Sequence, residues 1–205
     1  PTLSKAGFLQ LRGEGDGFLY ANLLPSREDG ARKRGEFDTE NWGDLEAFRA
    51  LQRIVRRWVA ADPQGPRVVV EDISSSFAGF YDYDGDGAAD HRTHQLGCNV
   101  NLLLVCNVRP EREVFFGVRN VKAYDAARTQ RLVRLLIDEG AESLTTTSAT
   151  ELLSKPNPLS DRIERDKTAE TGTVSYLVED RFRVLLTKEA SNHGNHMNVR
   201  FAPRW

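Results

Sequence analysis

All four histidines of this 205-residue chain fall in two short clusters, His91-Arg92-Thr93-His94-Gln95-Leu96-Gly97-Cys98-Asn99-Val100-Asn101 and His193-Gly194-Asn195-His196-Met197-Asn198-Val199-Arg200. The clusters lie about a hundred residues apart. Histidines that served only as surface or core residues would be scattered, so two tight pairs point to one site assembled by the fold, with metal binding or acid-base chemistry as its natural uses. The fold must therefore bring the two segments together. In an extended segment residues i and i+2 share a face, which puts His196, Asn198 and Arg200 on one side and turns Met197, Val199 and Phe201 into a core. Asn99 and Asn101 share a face in the same way.

The rest of the chain supplies the elements to hold such a pair of strands. Between Asp44 and Ala61, the residues Leu45, Phe48, Leu51, Val55, Trp58 and Val59 recur at helical spacing, and Asp62-Pro63-Gln64-Gly65-Pro66 breaks the pattern. The apolar, β-branched run Arg67 to Ile73 suits a buried strand, as does Asn99 to Val108. A second helix is expected over Ala126 to Glu139, closed by Gly140, with a strand over Glu142 to Thr147. The segment Val174 to Leu186 fits strand or helix, and Asn157 to Thr171 fits a polar flap with a short helix from Leu159. Arg12 to Arg34 is glycine-rich and charged, without a sustained period, and reads as a surface loop or mobile arm. The expectation is an α+β domain over residues 35–205, preceded by an arm over 1–34. Its helices lie outside, and its site is on one face of a central antiparallel sheet formed by the motif strands.

Both histidine clusters resemble the motifs of the penicillin-insensitive murein endopeptidases, zinc peptidases of the LAS group, which read H-x-x-H-Q-x-G-x-D-x-D and H-x-x-H-x-H-V-R. The helix-strand stretches Asn41 to Ile73 and Arg128 to Ser148 are also similar to that family's layout, so the resemblance spans roughly residues 35–203. It implies an LAS-type metallopeptidase fold and a peptidoglycan hydrolase ancestry. It also implies a zinc ion at the positions of His94, Asn101 and Asn198, a general base at His196 assisted from His193, and a periplasmic, envelope or secreted location after removal of a leader.

Two of those three metal positions hold asparagine where the family pattern has aspartate and histidine. A neutral amide oxygen has neither the charge nor the basicity with which carboxylate or imidazole holds zinc. The pattern predicts loss of tight zinc binding, and with it loss of the metal that would polarise a scissile carbonyl. Asn99, Asn101 and Asn198 are then expected to fill the old cavity with mutual amide hydrogen bonds. The expected function is a pseudopeptidase module that binds peptidoglycan stem peptides or a protein partner, with His91 and Arg200 as further binding candidates. Arg200 would be either a solvated strand residue or a holder of an acidic ligand. The competing expectation is an active metal-dependent endopeptidase with a modified site, in which His91, His94, His193 and His196 gather round a metal.

Just upstream, Asp82, Asp84, Asp86 and Asp90 occupy positions one, three, five and nine of a loop with Gly87 at six, most of a calcium-binding turn. Thr93 stands at position twelve, where a bidentate glutamate is usual, so the alternatives are a short calcium turn and a solvated acidic turn. A formal net charge of −2 gives no bias toward nucleic acid or anionic membranes, and no run of eighteen apolar residues exists to span one. If Gly97 to Val108 is a single strand, Cys98 and Cys106 are about 26 Å apart at roughly 3.3 Å per residue, which predicts two free, buried thiols.

Overall fold

The computed structural model describes residues 9–11, 14–15, 17–20, 42–71, 73–74, 96–105, 125–146, 164–166, 174–178, 182–186 and 196–202. In chain order the described elements are β1 (Leu9–Gln10), β2 (Glu14–Gly15), β3 (Phe18–Tyr20), β4 (Trp42–Gly43), α1 (Leu45–Ala61), β5 (Val68–Val70), β6 (Asn99–Leu103), α2 (Ala126–Asp138), β7 (Ala141–Thr146), β8 (Glu164–Asp166), β9 (Val174–Val178), β10 (Phe182–Leu186) and β11 (His196–Phe201). Strands β1 and β4 pair separately, and the other nine form one sheet in the order β2-β3-β5-β6-β11-β7-β10-β9-β8. The architecture is α+β.

Asp44 starts α1 because its carboxylate accepts from the otherwise orphaned amides of Glu46 and Ala47, at 3.0 and 3.4 Å. Phe48, Leu51, Ile54 and Trp58 then form the buried stripe. The helix stops before Pro63, and the Trp58 indole donates to the Pro66 carbonyl at 2.7 Å, which fixes the turn into β5. Asp125 caps α2 by accepting from Arg128 N at 2.9 Å. Gly140 ends the segment at φ 91°, a left-handed conformation that suits glycine at a helix C-terminus. The helix bounds match the sequence reading to within a residue or two.

Both helices pack on one face of the sheet. Ile54, Trp58, Leu132 and Leu136 form one continuous core with Val68, Val70, Val100, Leu102, Leu144, Met197, Val199 and Phe201, all of them buried. Each β-strand alternates, so the residues between these apolar ones are committed to the opposite face, which neither α1 nor α2 covers. On that face Leu19, Val69 and Leu103 form a second small apolar cluster. Next to it on β6, β11 and β7 stand Asn101, Asn198 and Thr145.

The sheet is mixed, which corrects the expectation of an antiparallel one. The centre, β5-β6-β11-β7, is antiparallel throughout, but β3 runs parallel to β5 and β10 parallel to β7. Helix α1 explains the first parallel pair: a strand, a helix on one face and a returning strand give parallel neighbours. The same logic applies to β6, α2 and β7, which run parallel to each other on either side of β11. A second correction falls within Arg12 to Arg34, where Phe18–Tyr20 is a sheet strand with Leu19 buried. Three residues are too few to show a period, so pairing with β5 decides the conformation. Gly17 makes the approach possible, since its φ is 90° and a Cβ there would run into Val59 of α1. The ambiguous segment Val174 to Leu186 is the antiparallel pair β9-β10, and Glu164–Asp166 is a strand within the stretch read as a flap.

Candidate functional site

The two motif strands are neighbours at the centre of the sheet. Their antiparallel register sets His196 opposite Leu103, Asn198 opposite Asn101 and Arg200 opposite Asn99. On the other side of β11, Thr145 opposes Asn198 and Ser143 opposes Arg200. Val70 pairs with Leu102, and Glu71 N donates to Asn101 O at 2.8 Å, so the next residue pair across that ladder is Glu71 and Asn101. Glu71, directly after β5, and the strands β6, β11 and β7 therefore present one polar row, Glu71-Asn101-Asn198-Thr145, on the face that α1 and α2 do not cover.

Glu71 reaches diagonally over β6. Its Oε2 lies 3.2 Å from His196 Nδ1, with the glutamate side chain 20% exposed and the histidine side chain 8% exposed. The contact is a close approach of the two groups and not a hydrogen bond. A carboxylate thus forms part of the His196 environment. Asn101 is 5% exposed, and its Oδ1 is buried with no hydrogen-bond partner among the described residues. The expected network of mutual amide hydrogen bonds therefore does not include the Asn101 oxygen.

Arg200 stands at the rim. Its Nε is 3.7 Å from Glu142 Oε2, and both side chains are about half exposed, so the pair is a weak surface contact. Beside it Cys98 is buried and free. Burial pushes its thiol above the ordinary value against the lowering effect of Arg200, which leaves it a poor nucleophile. Cys106 lies outside the described residues, as do His91, His94, His193 and the acidic loop positions Asp82, Asp84, Asp86 and Asp90.

Of the sequence candidates, the structure brings together His196, Asn101 and Asn198, with Arg200 one register step along the same face. Glu71 is the residue the sequence reading missed. Its signal was an acidic side chain directly after the fully apolar run Val68-Val69-Val70, where a buried strand meets a polar site. Among the described residues no three His, Cys, Asp or Glu side chains gather as a metal-holding group, and no helix is long and apolar enough to cross a membrane. A scan against protein-family models and a search of the curated proteins found no match to this chain.

Proposed function

We propose that this chain is a murein-endopeptidase-like domain of the LAS-type fold that has lost its zinc site and now binds without cutting, as a cell-wall or protein-binding module. The reading rests on one observation above all. Asn101 and Asn198, two of the three positions that the motif resemblance marks for zinc, sit side by side across the β6-β11 ladder. The donor set does not fit that metal, because two neutral amides replace one carboxylate and one imidazole. His196, which would act as base on a metal-bound water, instead has Glu71 as its neighbour. What remains is a polar row beside a buried histidine, well suited to hydrogen-bonding a peptide backbone. An envelope or secreted location belongs to the same reading, as does calcium in the loop Asp82 to Asp90.

The competing reading, an active endopeptidase with a modified metal site, draws on Glu71, since a carboxylate against His196 supplies the negative charge that the amides lack. Co-sedimentation with purified peptidoglycan sacculi tests the binding reading. The protein should pellet with sacculi and release no soluble muropeptides, and the His196→Ala, Arg200→Ala double variant should be lost to the supernatant. Equal retention of both proteins, or of neither, would move the working surface away from this row. Released muropeptides would favour the hydrolase.

A further inference from the structure

The outer surface of α1 carries charge of one sign. Its exposed residues are Leu45, Arg49, Gln52, Arg53, Arg56, Arg57, Ala60 and Ala61, with no carboxylate among them. Counted from Leu45, the positions through Ala60 fall at i+4, i+7, i+8, i+11, i+12 and i+15, so they make one stripe along a single helix face. The side chains of Arg49, Arg53 and Arg57 are 54%, 49% and 45% exposed, against 30%, 13% and 28% for their partners Glu46, Glu139 and Asp138. Guanidinium therefore forms the outermost layer, and the carboxylates beneath hold it in place. Arg56 is exposed and has no carboxylate partner among the described residues. Standing three residues from Arg53 and next to Arg57, it adds like-charge repulsion and no ion pair to the folded chain. At the start of the same stripe Leu45 is 41% exposed, and Leu96, in the turn before β6, is 45% exposed. The bond from Asp44 N to Gly97 O, at 2.9 Å, joins the backbones beside these two leucines.

We infer that this stripe docks an acidic helix of a partner protein, whose carboxylates meet Arg49, Arg53 and Arg56 and whose apolar end covers Leu45 and Leu96. Charge complementarity selects the occupant. A helix with glutamates at three- and four-residue spacing presents them at the same rise, roughly 1.5 Å per residue, as the arginines, so two helices side by side pair along their length. Each guanidinium is a planar fork that matches a carboxylate. A phosphate polyanion has nothing to set against the two leucines, and the formal net charge of −2 gives it no general attraction to the chain. The stripe lies on the side of the sheet away from the polar row, so the inference stands apart from the reading of that row. Exposed ion pairs are individually weak, which makes the docking reversible and sensitive to salt.

The test uses the full chain and a labelled, end-blocked helical peptide followed by fluorescence anisotropy. The peptide carries glutamates at three- and four-residue spacing on one face and a leucine at each end, and a control peptide has glutamine at every glutamate. The glutamate peptide should bind about tenfold more tightly than the control at low salt, the gain that three exposed ion pairs of middling strength supply. That advantage should shrink as salt is raised. The Arg49→Glu, Arg56→Glu variant should lose the advantage, and Leu45→Ser should weaken both peptides, each with a melting temperature within a few degrees of the unaltered chain. Equal affinity for the two peptides, or an undiminished preference in the folded charge-reversal variant, would overturn the inference. Inorganic polyphosphate that binds more tightly than the glutamate peptide, and is lost in the same variant, would make the stripe a polyanion site and overturn it as well. Co-sedimentation with sacculi should be the same for the charge-reversal variant as for the unaltered chain. Sedimentation lost in that variant would assign the stripe to the wall instead of a protein.

Discussion

On the proposed reading, Asn101 carries a trace of former chemistry. A buried amide oxygen without a partner is a cost that an apolar side chain at the same place would avoid, and folds retain such costs mostly where a ligand once met or still meets the group. Its cross-strand neighbour Asn198 stands on the same face, with His196 two residues before it. On the proposed reading, only the donor atoms have changed and the backbone that would aim them is intact. The double substitution Asn101→Asp, Asn198→His should then restore zinc binding, because it returns a carboxylate and an imidazole to neighbouring positions and so completes, with His94, the ligand set that the resemblance implies. Calorimetric titration should give about one zinc per chain for the double variant. No binding by a folded double variant would mean that the backbone no longer holds the three positions in coordinating geometry.

At the scale of elements, the two helices are locked by ion pairs on their outer ends as well as by the core beneath them. Arg57 donates to Asp138 at 2.8 Å and to Glu139 at 3.0 Å, and Arg53 also bonds Glu139. Burial pushes the Glu139 carboxyl up, but the hydrogen bonds from Arg53 and Arg57 outweigh it and leave the group below the usual carboxylate range. A carboxylate depressed in the folded state stabilises above its unfolded value, about 4.3, and that stabilisation disappears as pH falls through the lower folded value. Urea melts should therefore show wild type more stable than Glu139→Gln at pH 7, with the gap closing toward pH 3. A gap that persists at pH 3 would assign the effect to packing. The loop Asp82 to Asp90 belongs to the same scale. If it holds calcium, a hundredfold excess over the dissociation constant adds about 2.7 kcal/mol to native stability, and melts with calcium and with chelator should differ by several degrees. Identical melts, with no calcium heat by calorimetry, would leave a solvated turn.

For the whole molecule, what the sequence made legible was whatever is decided locally. Helix α1 announced itself through its apolar stripe and the break from Asp62 to Pro66, and α2 through the Gly140 that closes it. The i, i+2 alternation of His196 to Phe201 correctly separated the buried Met197, Val199 and Phe201 from the polar side. Adjacency was harder to read. Nothing in Phe18-Leu19-Tyr20 marks it as a partner of Val68-Val69-Val70, and the parallel pairing of β7 with β10 depends on how distant segments meet. Glu71 was missed for the same reason. Its importance comes from register, which sets it beside Asn101 and within 3.2 Å of His196. The central claim, that the site has exchanged metal chemistry for binding, is tested most directly by the zinc content of the purified protein. The chain should be loaded with excess zinc, dialysed, and measured by elemental analysis. The account predicts well under one zinc per chain, whereas about one per chain would contradict it and return the site to the metallopeptidases.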